Sequence, residues 1–130
     1  MIGLDSNVLV RFFMQDDVAQ SRRANRLMQS LTPDVPGFVS VVSLIELIWV
    51  LRSQYLLSKA QLVVCVERLL DSSELTMESQ SAVAEAMRRF AGMKCDFADC
   101  LIGQLGHAAG CTETVTFDVR ASKLAGMRLL

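Results

Sequence analysis

Short apolar runs alternate with amphipathic segments along this chain. The runs at residues 1–4, 38–42, 74–77, 114–117 and 127–130 have the length and the side chains of short strands. Between them, apolar residues recur every three to four positions, which predicts helices after Asn7, from Ser43, after Ser58, over 83–90, over 96–109 and up to Leu124. A further helical segment opens at Asp16-Asp17 and has its periodic apolar residues over 24–31. Strands that alternate with helices indicate an α/β fold with a mainly parallel sheet.

The length of the chain fits a single domain. We expect residues 1–130 to form one three-layer α/β/α domain around a central, mainly parallel sheet of four to five strands. Two helix starts carry the sequence signature of a capping box, Ser43 with Glu46 and Ser58 with Gln61. Residues 32–37 contain both prolines and a glycine, which predicts a loop before the second strand.

Acidic residues stand at or just after the junctions that lead into helices. Asp5 and Asp118 directly follow predicted strands, and Glu46 and Asp99 lie near the starts of two helices. In a parallel sheet with right-handed crossovers, the carboxyl ends of the strands share one edge, where sites are usually built. We therefore expect these four carboxylates in one crevice, where like charges either raise each other's pKa or require a cation.

The types of these side chains indicate which cation such a site would hold. Carboxylate oxygens suit Mg²⁺ or Mn²⁺, and an ion held by them can activate a water and position a phosphodiester. The four cysteines form no C-x-x-C pair and His107 is the only histidine, so a zinc site is not expected. We expect the cysteines to be reduced and mostly buried. Ser6 lacks the context of a hydrolase nucleophile.

Each acid also has a purely structural interpretation. Asp5, Asp96 and Asp118 could cap helix N-termini, and Glu46 and Asp99 could complete capping boxes. Two functional alternatives stay open at this point. One is a phosphotransfer or phosphatase domain with Asp5 as the nucleophile. The haloacid-dehalogenase pattern of such enzymes has a second aspartate two residues after the nucleophile, and Asn7 at that position argues against this alternative. The other is a non-catalytic interaction module in which the acids only cap helices.

Four motifs in order resemble those of a known family. They are Asp5-Ser6-Asn7, Glu46 within Leu-Ile-Glu-Leu, Asp96-Phe97-Ala98-Asp99-Cys100-Leu101-Ile102 and Thr116-Phe117-Asp118, and they resemble the PIN domain in its VapC-type toxin branch. The resemblance implies a metal-dependent ribonuclease that cuts single-stranded or loop RNA and is paired with a small antitoxin. It also implies residue roles. Asp5, Glu46, Asp99 and Asp118 match the acidic quartet that holds metal, Asn7 supports the first acid, Thr116 stands near the fourth, and Asp96 is an additional acid.

Composition adds expectations about partners and location. The net charge of −1 alone argues neither for nor against nucleic acid, so the candidate phosphate contacts are individual basic residues. They are Arg11, Arg22, Arg23, Arg26, Arg88, Arg89 and Lys94. The apolar content of 52%, with Trp49 in an apolar segment, favours a homodimer or an antitoxin-bound state. With neither a signal peptide nor a membrane span expected, the predicted location is cytoplasmic.

Overall fold

The structure is a computed structural model that describes residues 1–130. The helices are α1 (Ser6–Met14), α2 (Val18–Ser30), α3 (Val41–Ser53), α4 (Lys59–Asp71), α5 (Gln80–Gly92), α6 (Phe97–Ala108) and α7 (Val119–Leu124). The strands are β1 (Ile2–Gly3), β2 (Gly37–Val39), β3 (Leu75–Met77), β4 (Val115–Thr116) and β5 (Arg128–Leu129). None of these helices is long and apolar enough to cross a membrane.

Every strand pairing is parallel, as the alternation of strands and helices predicts. β1, β2 and β3 form one sheet in that order, with Gly37 paired to both Ile2 and Leu75. β4 pairs with β5 through Val115 with Arg128 and Thr116 with Leu129. The α/β fold class is confirmed. The five strands are only two or three residues long, and they are hydrogen-bonded as a group of three and a group of two.

The chain forms two compact units, residues 1–78 and 79–130. In the first unit, α1 packs on α2 and α3, and α4 packs on β3. Its core is built from fully buried aliphatic side chains, which are Leu9, Val39, Leu44, Leu47, Leu51, Leu62 and Val66. Apart from Val39, which lies in β2, these residues fall on the apolar stripes of their helices, so burial of those stripes is the main stabilising term for the unit.

Gly37 allows the central strand of the first unit to approach its neighbours. A Cβ atom at this position would lie 2.8 to 2.9 Å from side-chain carbons of Leu4, Leu31 and Leu75. Such contacts are far shorter than the 3.5–4.0 Å optimum for two carbon atoms. Gly37 precedes the predicted strand 38–42 and is the first residue of β2. Only glycine fits there without displacing three leucines.

The two predicted capping boxes have different outcomes. Ser58 and Gln61 form the predicted box at α4, with the reciprocal side-chain to backbone bonds both present. The box at Ser43 and Glu46 is wrong, because α3 begins two residues earlier. Ser40 is the N-cap, and its hydroxyl oxygen accepts a hydrogen bond from the Ser43 amide at 3.0 Å. The start of α3 at Val41 also shortens the predicted strand 38–42, so β2 ends at Val39.

In the second unit, α5 and α6 form the principal packing pair. The rings of Phe90 and Phe97 meet edge to face with centroids 5.7 Å apart. Gly106 of α6 lets Thr114 approach that helix closely, because a Cβ on Gly106 would lie 2.6 Å from Thr114 Oγ1. The cysteines are free thiols, as expected, and three of the four are buried while Cys111 is exposed.

Candidate active site

Asp5 occupies the N-cap position of α1 directly after β1. Its carbonyl oxygen accepts the Val8 amide at 3.1 Å, but its side chain forms no capping hydrogen bond. Instead, Asn7 Nδ2 donates to Asp5 Oδ2 at 3.1 Å. Asp5 is exposed, so the backbone alone begins the helix and the carboxylate is left available for another ligand. Capping by the side chain therefore does not explain why an acid stands at this position.

Glu46 lies in the second turn of α3, where it is exposed and far from any capping position. Ser6 Oγ donates a hydrogen bond to Glu46 Oε2 at 3.0 Å. Ser6 itself is buried, with 4% of its surface exposed, so its hydroxyl is a fixed donor. Sequence reasoning dismissed Ser6 as a nucleophile and did not identify it as the residue that orients Glu46. Its place directly after Asp5 was the only available signal.

In the second unit, Asp99 lies within electrostatic range of two further acids, Asp96 and Asp118. Asp99 is half-buried in the first turn of α6. Burial raises the pKa of its carboxyl group, and the negative charges of Asp96 and Asp118 raise it further. Asp99 is therefore a partly buried acid with two negative charges near it.

Asp118 is both a helix cap and an exposed acid. Its Oδ1 accepts hydrogen bonds from the amides of Arg120 at 2.8 Å and Ala121 at 3.0 Å, which begins α7. Thr116 Oγ1 accepts the Asp118 amide at 3.0 Å and so fixes the turn that follows β4. The structural interpretation of Asp118 as an N-cap is thus confirmed. Neither capping bond uses Oδ2, which is the oxygen left for a ligand.

The chemistry of these side chains fits a hard divalent cation. Asp5 and Glu46 in the first unit, and Asp99 and Asp118 in the second, each supply carboxylate oxygens, which Mg²⁺ and Mn²⁺ prefer. A cation near Asp99 would also offset the repulsion that raises its pKa. No group of three or more His, Cys, Asp or Glu side chains is close enough together to hold an ion as the side chains stand. His107 is exposed on α6.

The basic side chains separate into paired and unpaired groups. Arg88 and Arg89 form ion pairs with Glu85, and Arg11 forms one with Asp16. Arg22, Arg23 and Arg26 on α2 are exposed and form no ion pair, which leaves them available for an anionic ligand.

A cleft of about 390 Å³ lies between α1 and α2. It is lined by Asn7, Val8, Arg11, Gln20, Arg23, Ala24 and Leu27. Asn7 lines the cleft and is also hydrogen-bonded to Asp5, so the cleft begins at the first acid. Arg11 Nε donates to Gln20 Oε1 at 2.7 Å across the two helices. The cleft therefore has an apolar floor and a polar, basic rim beside one of the candidate ligands.

Comparison with known proteins places the chain in a family. No curated protein matches the chain. The family model described as PIN domain matches residues 2–127, and this range contains every acid discussed above. PIN domains are generally metal-dependent nucleases. Because the match covers nearly the whole sequence, the chain belongs to the PIN domain family.

Proposed function

We propose that this protein is a Mg²⁺- or Mn²⁺-dependent endoribonuclease. The observation that carries the proposal is the half-buried Asp99 in the first turn of α6, where the pKa of the carboxyl group is raised by burial and by the charges of Asp96 and Asp118. Perturbed pKa values cluster at functional sites. The PIN family match over residues 2–127 supports nuclease chemistry as that use, in one domain spanning residues 1–130.

The proposed roles are those that the resemblance to the PIN domain implies. Asp5, Asp99 and Asp118 bind the ion directly, while Glu46 binds it or orients the attacking water. Asn7 and Ser6 hold Asp5 and Glu46 in place through their hydrogen bonds. Thr116 positions Asp118 through the backbone amide, and Asp96 adds negative charge near Asp99. The bound ion supplies an activated water and offsets charge on the phosphodiester.

The choice of RNA rests on the resemblance to the toxin branch of the family. Nucleic acid of either kind would be attracted to the unpaired arginines Arg22, Arg23 and Arg26 on α2. Arg23 lines the cleft that begins at Asn7, so a phosphate bound there lies beside the proposed site. These contacts position a strand without reading its sequence.

We also propose that the protein is the toxin of a type II toxin–antitoxin pair, that it acts in the cytoplasm and that it forms a homodimer. Exposed apolar side chains on one face of α3 support a protein partner there. Val42 is 74% exposed and Trp49 is 61% exposed, and half-buried Ile45 lies between them on the same face.

Cleavage of a labelled, structured RNA by the purified protein tests the proposed activity. Reactions contain Mg²⁺, Mn²⁺ or EDTA, and a DNA of the same sequence tests the choice of nucleic acid. The Asp5→Asn and Asp99→Asn variants, confirmed to be folded by circular dichroism, should lose cleavage and weaken Mn²⁺ binding in calorimetry. Asp34→Asn changes an exposed acid in the loop before β2 and should leave both intact. Cleavage in EDTA, or full activity in both site variants, would refute the proposal.

A further inference from the structure

Phe117 is a large aromatic residue exposed beside one of the proposed metal ligands. Its side chain is 81% exposed, and it directly precedes Asp118. Val115 and Val119, on either side of it, are 45% and 52% exposed. A phenyl ring normally gains more from burial than most side chains, so its exposure beside a candidate site suggests contact with a ligand.

The backbone at Phe117 is held on both sides. Thr116 Oγ1 accepts the amide of Asp118, and the Thr116 carbonyl oxygen accepts the amide of Leu130 at 2.8 Å. Phe117 itself lies in the bend between β4 and Asp118. The ring therefore projects from a fixed turn rather than from a mobile loop.

The distance along the backbone links the ring to the acids. Adjacent Cα atoms are about 3.8 Å apart, so Phe117 is a direct neighbour of the carboxylate that caps α7. Asp118 in turn lies within electrostatic range of Asp99. A phosphodiester bound to a cation that Asp118 holds would have a flanking nucleotide close to Phe117.

The composition of the apolar patch favours a base over a protein partner. Val115, Phe117 and Val119 are exposed here, as are Leu129 and Leu130 beside Thr116, at 44% and 59%, and Phe117 is the only aromatic residue among them. A stable protein interface buries about 800 Å² on each partner, whereas one phenyl ring buries at most about 250 Å². One exposed ring matches the face of one base, and this kind of contact is used widely to bind single strands.

We propose that Phe117 is a stacking platform for an unpaired base that flanks the scissile phosphate. This inference rests on the proposed nuclease function and specifies its substrate. A base in a duplex already has neighbours on both faces, so the platform selects nucleotides in loops or single strands. Stacking does not depend on the identity of the base, so Phe117 contributes affinity and strand selectivity without a sequence preference.

Steady-state cleavage of a single-stranded oligonucleotide tests the role of the ring. Loss of one base–aromatic stack corresponds to roughly a 5- to 150-fold loss of affinity. Phe117→Ala should raise KM within that range with a smaller change in kcat. Phe117→Trp should restore KM, whereas Phe117→Leu, which keeps an apolar side chain without a ring, should not. Leu56→Ala is the matched control, because Leu56 is also 81% exposed but lies in the first unit.

Fluorescence separates this inference from the nuclease proposal. With 2-aminopurine placed at each position in turn, binding should quench one position in the unmodified protein and none in Phe117→Ala. Equal KM and quenching in both proteins, or rescue by Leu as complete as by Trp, would overturn the stacking role. A change of oligomeric state in Phe117→Ala would instead assign the ring to a protein interface. Quenching without any metal-dependent cleavage would refute the nuclease function and leave the stacking role standing.

Discussion

Ser6 Oγ lies 3.0 Å from Glu46 Oε2, although forty residues separate the two along the chain. The bond joins the first turn of α1 to the second turn of α3. Because Ser6 directly follows Asp5, the same turn that presents one acid also orients another. Helix α1 packs on α3, so the bond spans the contact between these two helices, with Ser6 buried and Glu46 exposed.

Ser6→Ala should reduce activity more than stability. Removing one hydrogen bond to a charged group costs roughly 1.5 kcal/mol or more, so we expect kcat to fall about tenfold or more if Glu46 orients the water. Water can solvate the exposed Glu46 carboxylate in place of the Ser6 hydroxyl, which limits the loss of stability. Cleavage kinetics and urea unfolding measure the two effects. Ser30→Ala, at an exposed position on α2, is the control, and a kcat equal to that of the unmodified protein would exclude the orienting role.

Asp99→Asn should stabilise the metal-free protein at neutral pH. The raised pKa of Asp99 means that the folded state retains a proton that the unfolded state releases above about pH 3.9. The free energy of unfolding therefore falls as pH rises from that value through the raised pKa of the folded state. Asp99→Asn has no carboxyl group to cause this fall in the free energy of unfolding. It should therefore be more stable than the unmodified protein at pH 7, and no more stable than it below about pH 3.9.

Urea unfolding in EDTA at several pH values measures this difference. Adding Mn²⁺ should reverse the order at pH 7, because an ion that binds only the folded state stabilises it. A variant that is less stable than the unmodified protein at pH 7 in EDTA would contradict the electrostatic explanation.

Tyr55→Phe should make the protein less stable at neutral pH but not in acid. The Tyr55 hydroxyl donates to Asp16 Oδ2 at 2.6 Å, and this bond, with a further contribution from Arg11, lowers the pKa of Asp16. A lowered carboxyl pKa stabilises the fold above the ordinary value for aspartate, and the effect is lost as pH falls through the lowered value. Thermal unfolding between pH 2 and pH 7 measures the difference. The same difference in an Asp16→Asn background would show that another contact is responsible.

Arg23→Ala should weaken RNA binding in a salt-dependent way. An arginine that neutralises one phosphate contributes about 0.7 to the slope of log affinity against log salt for a single strand. We expect the slope for Arg23→Ala to be shallower by about that amount. Arg88→Ala is the matched control, because Arg88 is already paired with Glu85 at 2.6 Å. Fluorescence anisotropy at several salt concentrations measures both slopes, and equal slopes for the two variants would remove Arg23 from the binding surface.

The cysteines should differ widely in reactivity towards a thiol reagent. Burial and the neighbouring Cys95 raise the pKa of Cys100 to about 12, and burial also raises the pKa of Cys65. Thiolates are the reactive form, so these groups should react only when the protein unfolds. Exposed Cys111 should react first, with one equivalent released rapidly from the folded protein. Rapid release of more than one equivalent, retained in Cys111→Ala, would show that a buried thiol is accessible.

The parts of the fold that depend on local chemistry could be predicted from the sequence. Asp17 begins α2 by accepting the Gln20 amide at 2.8 Å, and Ser58 begins α4, because capping acts over three residues. The start of α3 could not be fixed in this way, since both Ser40 and Ser43 are suitable caps and tertiary packing decides between them.

The same distinction between local patterns and tertiary packing applies to the candidate site. The positions of Asp5 and Asp118 after strands follow from the alternation of the elements, and the structure places both there. The bond between Ser6 and Glu46 depends on how α1 packs on α3, and no local pattern encodes that contact. The exposure of Phe117 could not be predicted from the sequence either, because a phenylalanine at the end of a strand is more often buried.

Asp118 caps α7 and is also a proposed metal ligand. Alanine substitutions of the four acids would therefore not test the same property at each position. Alanine at position 5 leaves the backbone bonds that begin α1 intact, because the Asp5 side chain contributes none of them. Alanine at position 118 removes the acceptor for Arg120 and Ala121 and leaves the six-residue α7 without its cap. Asparagine retains a side-chain oxygen for those amides while removing the charge. Inactivity of an alanine variant at 118 would therefore mix two causes that asparagine keeps apart.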